Sequence, residues 1–360
     1  MDRDEAMGRV PVRNLPGYWV GSVERAAEVL ARVRQGHVTT LAITPGGRPI
    51  PLVTYGAHEP VAAAANFNSA VGGRDASAYM DKASRRKPVV LLVGPVHGHE
   101  VEGLTGLANL ISVLETGSDL GGQRRERLAE LAAAVRLLIV PMGNPDGLAR
   151  FAPQSLQGML RDDIRYWGQG TWRDGTFCSY PQCKRRHPMA GADLGFLGCY
   201  FNDAGINPMH DEFFAPMGPE SRAILDLARH EGPDFALLLH SYELASGFLA
   251  TSWVPADVTK SVREIAEATY RRFAERDVPC ATLASLTTEA HSEPEPFNLA
   301  SAVYHTSGAV SAVFECSHGT LDVCAAEFED ILETQLALYE TVLEYALARK
   351  EAEQQARAER

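Results

Sequence analysis

The chain has 360 residues, of which 45% are hydrophobic and 22% charged, and its formal net charge is −12. This is the composition of a globular protein that can bury a core without disulfides or a structural metal. The acidic balance argues against a nucleic-acid surface, because basic residues occur only in short pieces such as Arg124-Arg125 and Lys184-Arg185-Arg186, which are expected on the solvated surface.

Taken in chain order, Val23 to Arg34 places apolar residues at helical spacing and stops at Gly36. His37 to Tyr55 alternates around Pro45-Gly46-Gly47 and reads as a hairpin. Pro88 to Val93, Val135 to Val140, Asp234 to Leu239 and Val310 to Phe314 are short apolar runs, the mark of strands buried on both faces. Helical patterns cover Val101 to Leu114, Ser261 to Arg276 and Phe328 to Ala346, with a fraying polar tail over 350–360. Buried strands alternating with helices imply an α/β/α sandwich around a mixed, mostly parallel sheet. Candidate functional residues lie toward both ends, so residues 1–360 are read as one catalytic domain. Within it, the Gly-, Pro- and aromatic-rich stretch of about 150–217 forms a long ordered loop over the active site. Acids near the start exclude a secretory h-region, and no apolar run reaches the roughly 18 residues of a membrane helix. A cytoplasmic protein with mostly reduced cysteines and no membrane contact is expected.

Four short motifs carry the chemistry. His97-Gly98-His99-Glu100 lies between a strand and a helix, where a histidine and a carboxylate three apart can turn onto one metal ion. Either histidine can be the ligand, and the spacing favours His97. His240-Ser241-Tyr242 ends a buried strand, where open sheets place their ligands. Glu315 closes another, and a carboxylate there is costly unless paired, protonated or functional. Gly143-Asn144-Pro145-Asp146-Gly147 follows the Val135–Val140 strand and by itself reads as a turn.

Together and in this order the four resemble the zinc carboxypeptidase family of the carboxypeptidase A type. Gly47-Arg48-Pro49-Ile50 and Pro219-Glu220-Ser221-Arg222 are similar to two further elements of that family. The resemblance covers roughly residues 20 to 345. It implies one zinc ion per chain, with His97, Glu100 and His240 as ligands, Glu315 as general base, and Ser241 and Tyr242 lining the substrate cleft.

The family's Arg-x-Asn-x-x-Gly-Val-Asp-x-Asn-Arg-Asp segment has its best counterpart in Tyr200 to Asp211, where Asn202, Gly205 and Asp211 match. Asn202 is thereby expected at the substrate. Asn207 replaces an aspartate that supports a ligand histidine. Tyr200 stands where an arginine polarises the scissile carbonyl, and Met209-His210 stand where Asn-Arg clamps a C-terminal carboxylate. Histidine offers single donors where a guanidinium offers a fork, so the expected activity is not that of a standard exocarboxypeptidase. Arg161, Arg165 and Arg173 are candidates to supply the missing charge. The expected function is hydrolysis of a peptide or amide bond by a metal-activated water, with Tyr200 assisting and His210 at the substrate. The alternative is a deacylase of a small acylated metabolite, similar to the desuccinylase and aspartoacylase relatives. Cys178, Cys183 and His187, with Cys199, form a weaker candidate for a second metal. His291, His305 and His318 are candidate substrate contacts, each more readily an ordinary residue.

Overall fold

The computed structural model describes residues 1–61, 63–82, 84–278 and 296–359. In chain order its helices are α1 (Arg3–Gly8), α2 (Val23–Leu30), α3 (Phe67–Gly72), α4 (Val101–Thr116), α5 (Glu126–Ala133), α6 (Pro145–Arg150), α7 (Arg161–Ile164), α8 (Pro219–Glu231), α9 (Ala256–Glu275), α10 (Leu299–Ser307) and α11 (Phe328–Ala358). The strands are β1 (His37–Ile43), β2 (Pro49–Tyr55), β3 (Val89–Val93), β4 (Arg136–Val140), β5 (Gly170–Trp172), β6 (Leu194–Leu197), β7 (Phe235–Tyr242), β8 (Gly247–Leu249) and β9 (Val310–Ser317). Seven strands form one sheet in the order β1-β2-β4-β3-β7-β9-β8, and β5 and β6 pair separately. The four central strands run parallel, and antiparallel strands close both edges.

Side-chain alternation explains the layering. Val90 and Leu92, Leu137 and Ile139, Leu237 and Leu239 join one core with α2, α4, α5, α9 and α11. Their neighbours Val89, Leu91 and Val93, Leu138 and Val140, Ala236 and Leu238 join the opposite core with α8 and α10. Both faces of the sheet are therefore covered, which gives the expected three-layer α/β/α architecture. The sheet grows from β3 to β4 on one side and to β7 on the other, so the strand order reverses between β3 and β7. Ligands in open α/β sheets gather in the crevice beyond the strand ends at such a point.

Two parts of the chain differ from the sequence reading. The tail expected to fray is helical as far as Ala358. Buried Lys350 donates from Nζ to Lys82 O at 2.8 Å, and Gln354 and Arg357 reach Arg86 O and Asp81, so the last turns are tied to the body. Helix α10 was not anticipated, although Asn298 and Ser301 cap its start reciprocally and Gly308 ends it at φ 66°.

Behind the sheet, Arg136 holds the buried Glu231 through two hydrogen bonds of 2.9 and 2.7 Å and donates a third to Gly56 O. Removing the guanidinium leaves a buried carboxylate that, among the described residues, has only the exposed His58, 3.0 Å away, as a side-chain partner. The variant Arg136→Met is expected to cost about 3–5 kcal/mol of stability, read as the loss of unfolding free energy in a urea titration.

Candidate metal centre and active site

His97 and Glu100 occupy the turn that carries the chain from β3 into α4, and Glu100 is the residue that precedes the helix. Backbone bonds shape this turn: Gly98 N donates to Cys199 O at 2.7 Å and Glu100 N to His97 O at 3.0 Å. A Cβ on Gly98 would lie 2.0 Å from Leu148 N, so only glycine lets the turn lie against α6. Asn144 fixes that neighbour by accepting from Gly147 N at the start of α6 and donating to Val96 O. The Asn-Pro-Asp-Gly element is thus a helix start that packs under the turn carrying His97 and Glu100.

His240 lies on β7, next to Glu315 on β9 in the parallel register, and both side chains leave the same face of the sheet. His97 Nδ1 lies 2.8 Å from Glu100 Oε1, and His240 Nδ1 lies 2.8 Å from Oε2. All three residues are buried, and their ligand atoms fall within 4.8 Å of one another. The second approach lacks hydrogen-bond geometry, and Glu100 Oε2 is without a hydrogen-bond partner, as is buried His240 Nε2. His97 Nε2 meets Asn207 Oδ1 at 3.1 Å, and that oxygen also accepts from Met209 N. Burial keeps His97 below its ordinary pKa, so a neutral ring donating from Nε2 to Asn207 turns its Nδ1 lone pair toward the Glu100 carboxylate. Two electron-rich atoms at that separation call for a cation between them. The same demand acts on His240, where burial opposes protonation but the Glu100 and Glu315 carboxylates together outweigh it and raise the pKa. The donor set of two imidazoles and one carboxylate suits zinc with a position left for water.

The other residues expected at the site fall into three groups. The Tyr200 ring packs on His97 with centroids 4.1 Å apart. Ser241 and Tyr242 join Tyr200, His99, Arg161, Arg165, Gln169, Tyr180 and neighbouring residues around a cavity of about 250 Å³. Asn202, by contrast, is fully buried and commits its amide to Glu220 Oε2 and to the amides of Ala204 and Ile206, so it holds the loop and does not face substrate. His99 is no member of the ligand cluster. It lies between Tyr200, Phe151 and His318, while His318 Nδ1 meets Glu102 Oε1 at 3.1 Å in full burial. His305 bonds Trp253 O outside this group, and His291 lies outside the described residues.

Two expectations for the long stretch are corrected. Cys178 and Cys183 are free and buried with Met189 and Phe201 in a small apolar core, and His187 turns instead to Asp211 at 3.2 Å, so no second metal site forms there. Lys184 is not solvated surface: it is half-buried, with Nζ 2.7 Å from His210 Nε2. Flanking basic residues made it read as one of a surface run, yet only the alternate burial of a tight turn over Gln182–Arg185 separates it from exposed Arg185. His210, expected at the substrate, has its Nε2 occupied by this contact. Arg161 and Arg165 line the cavity but are paired with Glu243 and Asp162, and Arg173 is exposed elsewhere.

Among the described residues one other group could gather a metal, His58, His230 and Glu231. Its two histidines are exposed, and both Glu231 oxygens already accept from Arg136, which disfavours a cation there.

Residues 31–318 match the model of the zinc carboxypeptidase family, and the chain belongs to that family. No curated protein matches the sequence significantly. Among solved structures, a metallo-carboxypeptidase from Burkholderia cenocepacia superposes with a TM-score of 0.56 at 17% identity, covering 91% of this chain and 70% of that one. A metallo-carboxypeptidase from Pseudomonas aeruginosa, solved with (2-guanidinoethylmercapto)succinic acid, gives 0.52 at 13% identity over 92% and 71%. At such identities the likeness is one of fold, and it agrees with the layered sheet described above.

The geometry makes a direct prediction about metal. Purified protein is expected to carry zinc, and His97→Ala and His240→Ala to lose it in elemental analysis. Asn207→Leu removes the partner of His97 Nε2 along with the acceptor of Met209 N, and leaves the three candidate ligands in place, so it is expected to retain the site and weaken zinc affinity about 10–100-fold in a competition titration.

Proposed function

We propose that the chain hydrolyses a peptide or amide bond at a centre holding one zinc ion per chain between His97, Glu100 and His240, with Glu315 as the general base. The observation that carries the reading is Glu315 itself. Its carboxyl is placed beside His240 on the ligand face, and no ion pair joins it to another described residue. Burial pushes its pKa up to about 7, against the opposing pull of His240. Zinc, when bound, supplies Lewis-acid polarisation and lowers the pKa of the water it holds. Glu315 then accepts the proton of the attacking water and delivers it to the leaving nitrogen. Burial raises the Tyr200 hydroxyl well above its ordinary pKa, so it stays protonated and serves as a neutral donor to the developing oxyanion. Ser241 and Tyr242 line the cavity that receives one side of the substrate.

Exocarboxypeptidase action of the standard kind is not part of this reading, because Met209 and His210 offer no guanidinium fork to a terminal carboxylate. The cavity of about 250 Å³ lies below the usual range for drug-sized ligands, which favours a small group on that side. The same observation supports the alternative, deacylation of a small acylated metabolite.

Glu315→Gln keeps the shape and removes the proton acceptor. Zinc content is expected to match the parent, while turnover of any substrate the parent cleaves falls by about 10² or more. Near-native turnover in this variant would take Glu315 out of the mechanism.

A further inference from the structure

At the end of the sheet opposite the candidate metal centre lies a cavity of about 340 Å³. Part of its wall is the starts of the central strands: Pro88 precedes β3, Asp234 and Phe235 stand at the start of β7, and Val310 opens β9. His240 and Glu315 lie toward the far ends of β7 and β9, and His97 and Glu100 follow β3. Phe235 and His240 are five positions apart on β7, about 17 Å at the ordinary rise of a strand, so the cavity is no part of the hydrolytic site. The remaining walls come from α10, from the segment running from α3 to Lys82, and from the last turns of α11.

One part of the lining is aromatic. Phe67 meets Tyr79 and Tyr304 edge-on, with centroids 5.7 and 5.4 Å apart, and Phe235 adds a fourth ring. The other part is charged, and there Lys82, Arg349, Lys350 and Arg357 outnumber Asp81, Asp234 and Glu353. Each of these carboxylates already has a cation. Arg357 lies 3.4 Å from Asp81, Arg349 and Lys350 lie 3.4 and 3.9 Å from Glu353, and Arg85 lies 4.0 Å from Asp234. Lys82 is the surplus charge. Its Nζ donates to Pro233 O at 2.6 Å and sits beside Gly308, another lining residue, where a Cβ would lie 4.0 Å from it. Among the described residues no ion pair joins Lys82 to a carboxylate, although the fields of Asp234 and Glu353 reach it. Burial pushes its pKa down to about 8, as befits an ammonium without a direct counter-ion. An ammonium has three donors, so two remain unspent.

Ligand sites are concavities of about 300–1,000 Å³, apolar and aromatic for the most part, with a few polar groups that fix orientation. This cavity matches in size and in lining, and it holds one uncompensated cation. We infer that it is a second ligand site, remote from the metal centre, which takes a small organic monoanion such as an aryl or branched-chain carboxylate. Lys82 receives the charged head, and the rings of Phe67, Tyr79, Tyr304 and Phe235 bound the apolar body. A neutral analogue of the same shape leaves the ammonium uncompensated, so charge sets the preference. The inference stands apart from the hydrolase reading, since none of these residues belongs to the metal cluster or to the cavity beside it.

The test uses the zinc-loaded protein with phenylacetate as the monoanion and phenylacetamide as its neutral counterpart, both followed by calorimetry. Phenylacetate is expected to bind at least about tenfold tighter than the amide. His240→Ala protein gives the same comparison where no zinc can hold the acid, and the preference is expected to persist there. Adding Lys82→Met to that protein is expected to bring acid and amide within about threefold, and Lys82→Arg to keep the preference. Circular dichroism verifies that the variants fold. A measurement on the unaltered protein covers the case in which they do not. Phenylacetate is expected to slow acetylation of Lys82 by an N-hydroxysuccinimide ester, read from the mass of its peptide, and an equal concentration of phenylacetamide to leave the rate unchanged. Equal binding of acid and amide, a preference lost in His240→Ala protein, or one that survives Lys82→Met there overturns the inference. So does Lys82 acetylation that is indifferent to phenylacetate.

Discussion

The demand for positive charge at Glu100 organises this molecule. A carboxylate in full burial faces one imidazole on each oxygen, both at 2.8 Å. Such a group is tolerated in low dielectric only when its charge is balanced. The surroundings hold that imbalance in place and do not relieve it. Gly98 lets the turn press on α6, Asn207 fixes the His97 tautomer, and the parallel register of β7 and β9 sets Glu315 beside His240. The sheet thus supplies a rigid edge on which the His97, Glu100 and His240 atoms converge within 4.8 Å of one another, the condition for a site that could take a metal with little rearrangement.

A second buried carboxylate holds the walls to that edge. Asp146, in the Asn-Pro-Asp-Gly element, accepts from Thr44 Oγ1, Gly46 N, Arg48 Nη1 and Asp203 N. Four donors offset the cost of its burial and keep its pKa below the usual carboxylate value. One side chain so joins the β1–β2 hairpin, the start of α6 and the segment that carries Tyr200, Asn202 and Asn207. Asp211 plays a like part at the other end of that segment, accepting from His187, Ser221 and the amides of Met217 and Gly218.

How much of this was legible in the sequence follows from the range of the interactions. The central strands, the layered fold and the clustering of His97, Glu100 and His240 rest on local patterns: apolar runs of five or six residues, a His-x-x-Glu spacing, a histidine at a strand end. The resemblance set Asn207 in place of an aspartate that supports a ligand histidine, and the structure shows that its Oδ1 still meets His97 Nε2. The burial of Lys184 did not emerge, since its neighbours Arg185 and Arg186 gave it the look of a solvated run, and its partner His210 lies 26 residues away. Asn202 was misplaced for the reverse reason, a matched position whose amide is spent on Glu220. The last turns of α11 were read as fraying because their composition is polar. Their anchors, Lys82, Arg86 and Asp81, lie 268 to 276 residues earlier.

The division of labour between sheet and loop has a consequence for how such a protein can diversify. His97, Glu100, His240 and Glu315 stand on β7 and β9 and on the turn after β3, whereas Lys184, Tyr200 and His210 all belong to the stretch of about 150–217. That stretch has its own two-stranded sheet and its own small core around Cys178, Cys183, Met189 and Phe201. A segment built in this way can drift, lengthen or be exchanged while the residues on the sheet keep their places. An inherited reaction can in this way be redirected to new molecules by selection on one loop, and libraries confined to those residues would explore specificity without first having to rebuild catalysis.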